Sequence, residues 1–229
     1  MKSVHHDPSV ILPEGFAIGY RKKLLSSGPK DILLATSENE IKLTPGRHLL
    51  LARNGRGKTT LLKTIAGILA PLSGTISREG SVQYLDEDLR FDNEMKPRQI
   101  FSALFKNGNR SFAMEMAERI ELDPEKPYGK LSKGNRQKVG LIVAETHARA
   151  GGPQILLLDE PFSGLDFAAR DFVDEIWSEK ENDMIRLVCV HPDEPTLKAD
   201  SAVLIRDGKL EQVDVDGTLD WMETKEALN

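Results

Sequence analysis

The sequence predicts an α/β fold with a mostly parallel central sheet, an antiparallel β region before it and a small helical insert within it. Three observations carry that prediction. The apolar run Leu49-Leu50-Leu51 leads into Ala52-Arg53-Asn54-Gly55-Arg56-Gly57-Lys58-Thr59-Thr60, and a helical pattern from Leu61 to Leu69 follows. A second apolar run, Ile155-Leu156-Leu157-Leu158, ends in Asp159-Glu160-Pro161, and a third, Leu187-Val188-Cys189-Val190 in a strand from Ile185, ends at His191. Four apolar residues in a row, Ile155 to Leu158, indicate a strand buried on both faces, as parallel sheets require.

Strand, glycine-containing loop and helix in this order form a phosphate-binding P-loop. Glycines leave the backbone N–H groups free to wrap phosphates, and the helix start adds partial positive charge. Lys58 is expected to reach the terminal phosphates and Thr59 to offer its hydroxyl to Mg²⁺. Ala52 stands where the pattern has its first glycine, which requires negative φ at the strand end.

Before the loop, residues from about Val10 to Leu51 read as short strands, with Gly28-Pro29 and Pro45-Gly46 marking turns. They are expected to form an antiparallel sheet leading into the loop strand. Tyr20 is either a stacking surface for an adenine face or a half-buried strand aromatic. After the loop helix, Thr75 to Arg78 and Ser81 to Leu85 read as two strands, followed by Asp86-Glu87-Asp88. Helical stripes then appear, Ile100, Phe101, Leu104 and Phe105 on one and Phe112, Met116 and Ile120 on another. Leu131-Ser132-Lys133-Gly134-Asn135 opens a further helix with Ser132 as N-cap, its start being either a second anion site or, as the segment in isolation favours, merely a capped helix end.

Asp159 ends its strand where α/β sheets place ligands, so it is a candidate metal residue, and Glu160 faces the terminal phosphate. The helix from Phe167 to about Glu181 turns Phe172, Val173, Ile176 and Trp177 to the core. His191 lies on the same edge as Asp159. Ser201 to Leu210 reads as a hairpin around Asp207-Gly208.

Composition narrows the class. The chain has 229 residues, 39% hydrophobic and 29% charged, with net charge −5, so no overall field favours nucleic acid. Cys189 is the only cysteine, which excludes an intrachain disulfide. No apolar run approaches the ~18–20 residues that span a bilayer. Arg21-Lys22-Lys23 is read as a solvated loop, and His5 and His6 as terminal residues without a metal.

With these motifs in place, the chain resembles the nucleotide-binding subunit of an ATP-binding cassette (ABC) transporter over nearly its whole length. Leu131 to Asn135 is similar to the family's Leu-Ser-Gly-Gly-Gln signature, with lysine and asparagine at the third and fifth positions. Together with Pro161-Phe162-Ser163-Gly164-Leu165-Asp166, that variant resembles the exporter-type branch. Pro71-Leu72-Ser73-Gly74 is a weaker match to siderophore importers.

The resemblance implies a P-loop (RecA-like) core in a single ABC ATPase domain over 1–229. Within it, 10–51 is the antiparallel β region, 52–86 and 148–212 the ATP-binding core, 87–147 the helical subdomain and 213–229 a tail. It implies that Asn54, Gly55, Arg56, Gly57, Lys58, Thr59 and Thr60 hold the phosphates of ATP and its Mg²⁺, and that Tyr20 stacks on adenine. It further implies that Asp159 holds the metal, Glu160 polarises water, His191 contacts the γ-phosphate and Asp166 couples two sites. Ser132 and Gly134 are implied to cap the ATP of a second nucleotide-binding subunit, either an identical copy or a homologue. Where the family usually has a glutamine near the metal, this chain has Glu87, which can still ligate Mg²⁺.

The expected partners are integral membrane subunits at the inner face of the cell membrane, with no nucleic acid. The loop from Glu87 to about Phe105, carrying Phe91, Met95, Ile100 and Phe101, is expected to be either the docking surface or an ordinary part of the helical-subdomain core. The rival functions are a soluble ABC ATPase acting on ribosomes or DNA, a regulatory module with little turnover, and the energy subunit of an importer. A GTPase is disfavoured, because no [Asn/Thr]-Lys-x-Asp segment occurs.

Overall fold

The structure is a computed structural model that describes residues 7–21, 31–151, 154–178, 183–190 and 198–218. Five strands open the chain: β1 (Ser9–Leu12), β2 (Ala17–Arg21), β3 (Asp31–Ser37), β4 (Ile41–Leu43) and β5 (Gly46–Ala52). Helix α1 (Lys58–Ile65) follows the glycine loop, and β6 (Ser77–Glu79) and β7 (Val82–Leu85) come next. The helical part contains α2 (Pro97–Leu104), α3 (Asn107–Arg119) and the long α4 (Lys133–Arg149). The chain returns to the sheet with β8 (Ile155–Asp159), α5 (Phe167–Ser178), β9 (Ile185–Cys189), β10 (Lys198–Arg206) and β11 (Lys209–Thr218).

Eight strands form the main sheet in the order β2-β3-β11-β10-β5-β9-β8-β7, and β4-β1-β6 form a small antiparallel sheet. From β10 through β5, β9, β8 and β7 every pairing is parallel. This agrees with the expected α/β class. The N-terminal strands depart from expectation, because they do not stay together. β2 pairs antiparallel with β3, and β3 then joins the main sheet parallel to β11. β5 is a central strand between β9 and β10 rather than the continuation of an antiparallel sheet. Its side chains are buried from Arg47 to Ala52, which favours a central position with both faces covered.

The two faces of the sheet pack against different layers. Leu49, Leu51, Leu156, Leu158, Val188 and Val190 face a core shared with Phe101, Met116, Ile142 and Trp177 on the helices. Leu50, Ala52, Ile155, Leu157, Leu187 and Cys189 face a second core with α1 and the small sheet. Alternation along each strand thus meets an apolar layer on either side, with each fully buried Leu contributing roughly 1.5–3 kcal/mol. The last hairpin turns at Asp207 and Gly208, both at positive φ (49° and 76°), as an Asp-Gly turn requires.

Candidate functional site

Ala52 is the last residue of β5, buried, and absent from the residues with positive φ, so a Cβ is tolerated where the pattern has glycine. The left-handed turns fall instead on Gly55 (φ 75°) and Gly57 (φ 109°). Gly57 caps the N-terminus of α1, and a Cβ there would lie 3.3 Å from both Ile18 and Leu34. Lys58 is buried, and its Nζ donates to the Ala52 carbonyl at 3.2 Å and to Asn54 Oδ1 at 3.3 Å. Arg56 and Thr59 are exposed at the mouth of the loop. Thr60 is buried and shares a hydrogen bond of 2.7 Å with the Tyr20 hydroxyl, while Tyr20 itself is 48% exposed. Tyr20 is therefore tethered to the loop helix with much of its surface uncovered.

On the far side of β9, β8 delivers the two carboxylates. Asp159 is buried and accepts a hydrogen bond from the Tyr84 hydroxyl at 3.0 Å. Burial, and then the Asp159 charge, push the Tyr84 phenol far above its usual range, so it remains a donor. The Cys189 thiol, opposite Asp159 in the sheet, is also pushed up, by burial first and then by Asp159. Glu160 leaves the strand at φ 48°, a conformation costly for a residue with a side chain. Its carbonyl is held by Gln137 Nε2 at 3.1 Å and by the Ser163 N–H at 3.1 Å. That turn brings Glu160 Oε1 to 3.9 Å from Lys58 Nζ. The glycine loop and the carboxylate pair thus converge on one edge of the sheet.

Ser132 is the N-cap of α4, its hydroxyl accepting from the Asn135 N–H at 3.2 Å. Gly134 lies against the loop after β8, where an added Cβ would meet the Gly164 carbonyl at 2.1 Å. Asp166 accepts from Lys138 Nζ at 2.9 Å and from the Ala169 N–H at 2.9 Å. The Lys138 hydrogen bond and then the Ala169 N–H hold the Asp166 carboxyl below the usual carboxylate range. Glu87 accepts a hydrogen bond of 2.7 Å from Lys133 Nζ. His191 lies outside the described residues.

Of the two readings of the stretch from Glu87 to about Phe105, the docking surface is corrected at Ile100 and Phe101 and the helical core holds: both are buried with Met116 and Ile120, and Phe91 and Met95 pack partly buried against that core. Only Leu89 and Leu104 of that stretch remain exposed among its large apolar side chains. The reading from sequence also passed over Tyr84, Gln137 and Lys138. Two polar residues, Gln137 and Lys138, on the apolar side of a predicted helix were the available signal for the latter pair.

Among the described residues no cluster of three or more His, Cys, Asp or Glu side chains stands ready to hold a metal by itself. The donors present suit a hard cation that shares its ligands with phosphate: one exposed hydroxyl, Thr59, and one buried carboxylate, Asp159, beside an open loop. Mg²⁺ fits that set. The glycine loop with Lys58 fits a polyphosphate.

Comparison with known proteins agrees with this geometry. An uncharacterized ABC transporter ATP-binding protein of Methanocaldococcus jannaschii is 33% identical over 70% of this chain and 63% of its own length. The sulfate/thiosulfate import ATP-binding protein CysA of Gloeobacter violaceus is 31% identical over 78% of this chain and 58% of its own. The chain thus spans less than two thirds of the length of these relatives. A solved structure of a bacterial Atm1-family ABC exporter with ATP bound shares the fold, with a TM-score of 0.71 at 17% identity over 99% of this chain and 41% of that one. The family described as ABC transporter matches residues 38–163, more than half of the 229 residues and inclusive of the glycine loop, the α4 start and the Asp159–Glu160 strand end. The chain belongs to the ABC transporter family.

Proposed function

We propose that this chain is an ATP-binding and ATP-hydrolysing subunit that powers an ABC transporter through separate membrane subunits. The observation that carries the reading is the approach of Lys58 Nζ to Glu160 Oε1, 3.9 Å, beside a loop left open by Gly55 and Gly57. In this reading Asn54, Gly55, Arg56, Gly57, Lys58 and Thr60 bind the phosphates of ATP, and Tyr20 offers its exposed ring to the adenine. Thr59 and Asp159 are the residues that would hold Mg²⁺, with Glu87 beside them, and the ion neutralises phosphate charge when bound. Glu160 orients and deprotonates the attacking water, and His191 contacts the γ-phosphate. Ser132 and Gly134 cap the ATP of a second nucleotide-binding subunit, and Asp166 links the two sites. Closure of that dimer on ATP, and reopening after hydrolysis, drives the membrane partner from the inner face of the membrane.

The single ABC ATPase domain is taken to comprise the segments 10–51, 52–86 with 148–212, 87–147 and 213–229 described above. For direction we take export, on the Leu131–Asn135 and Pro161–Asp166 segments; import is the second reading, favoured by the similarity to the sulfate/thiosulfate import protein. Vesicles reconstituted with the co-purifying membrane protein decide it by the sign of ATP-driven flux. The enzyme itself is tested by phosphate release. Wild type should turn over ATP, Lys58→Ala should lose at least about 100-fold, and Glu160→Gln should lose a similar factor while accumulating an ATP-bound dimer on size exclusion. Unchanged turnover in Glu160→Gln overturns the role given to that residue.

A further inference from the structure

Two departures from the family pattern touch each other. Glu87 stands where the family usually has a neutral glutamine, and Lys133 stands at the third signature position, where it has glycine. Forty-six residues apart in the chain, they meet at 2.7 Å, Lys133 Nζ donating to Glu87 Oε1. We propose that Glu87 and Lys133 are one compensated exchange, in which Lys133 is a positioning residue that neutralises and orients the Glu87 carboxylate at the nucleotide edge. The proposal rests on the nucleotide-binding reading above.

The charge balance argues for it. β7 runs parallel to β8 with Leu85 opposite Leu158, so the residues after Leu85 emerge beside Asp159 and Glu160. Asp86, the first of them, is answered by Lys63 at 3.1 Å. An unanswered Glu87 would add a third negative charge to an edge meant to receive a polyphosphate, and like charges there oppose binding. Lys133 returns the pair to zero net charge, the same as glutamine with glycine. Lys133 also adjoins Ser132. The pair therefore ties the loop beside one bound nucleotide to the helix start offered to the other.

A solvated surface bridge with no bearing on the site is the competing account, since exposed ion pairs often contribute little. The two are separated by a double-mutant cycle read as thermal stabilisation during titration with a Mg²⁺-bound, non-hydrolysable ATP analogue. Lys133→Gln should raise the half-saturating concentration about threefold in wild type, and by less than about 1.5-fold when Glu87→Gln is already present. The difference should shrink at high salt. Equal effects in both backgrounds overturn the coupling. A wild type that shows no saturable stabilisation overturns the nucleotide reading and this proposal together, whereas a saturable wild type with an additive cycle overturns the pair alone. A change confined to the melting temperature of the ligand-free protein, with titration curves unmoved, assigns the bridge to the fold and also overturns the proposal.

Discussion

Glu160 and Tyr84 show how single residues set the chemistry of this edge. Glu160 can face Lys58 only because its backbone turns at positive φ, and that strained turn is held by Gln137 and Ser163. Tyr84 keeps one oxygen of Asp159 occupied by a donor whose proton is retained at every working pH. Tyr84→Phe should leave the fold intact, cost about 1–2 kcal/mol in urea denaturation, and raise the Mg²⁺ concentration needed for half-maximal ATPase activity. An unmoved Mg²⁺ dependence would show that the phenol serves packing alone.

Between elements, the decisive contact is the start of α4 against the loop after β8. Gly134 has no room for a side chain, since the obstacle is the Gly164 backbone carbonyl at 2.1 Å and not a movable side chain. Gly134→Ala should therefore destabilise by about 1–3 kcal/mol despite alanine's better helix propensity. Gly108, in α3 with nothing within 4 Å of an added Cβ, is the matched control, and Gly108→Ala should be neutral or stabilise by about 0.5 kcal/mol. Chemical denaturation of the two variants side by side checks both. Lys138 reinforces the same junction from within, donating to the Ile120 carbonyl at 2.6 Å and to Asp166 at 2.9 Å. It joins the end of α3 to the segment preceding α5.

The molecule as a whole is stapled by polar groups sunk between its layers. Glu145 on α4 accepts from Trp177 Nε1 at 2.8 Å and from Arg186 Nη2 at 3.1 Å, joining α4, α5 and β9. His48 in β5 is buried, with Nδ1 2.8 Å from Ser201 Oγ and Nε2 2.7 Å from the Thr44 carbonyl. Burial lowers its pKa, against the opposing effects of the Thr44 carbonyl and Asp200. The unfolded chain then binds a proton that the folded one refuses, so this contribution to stability is complete above the unfolded value of about 6.5 and fades as pH falls below it. Stability of wild type should decline from about pH 6.5 toward pH 5, and His48→Gln should flatten that part of the curve. An identical slope in the variant, measured by urea midpoints across that range, would place the acid sensitivity elsewhere.

Local pattern determined much of this protein. The apolar runs of β5, β8 and β9, the glycine loop, the Ser132 cap and the Asp207-Gly208 turn are each encoded within a few consecutive residues, because backbone conformation and strand burial answer to near neighbours. What only the tertiary structure decided is which distant side chains face one another. Tyr84 reaches Asp159 across 75 residues, Lys133 reaches Glu87 across 46, and Lys138 reaches Asp166 across 28. The same holds for the parting of the N-terminal strands between two sheets and for the burial of Ile100 and Phe101, which a helical stripe alone leaves open to solvent or core. Periodicity says that a face is apolar; it does not say what covers it, since the covering layer is drawn from chain far away in sequence.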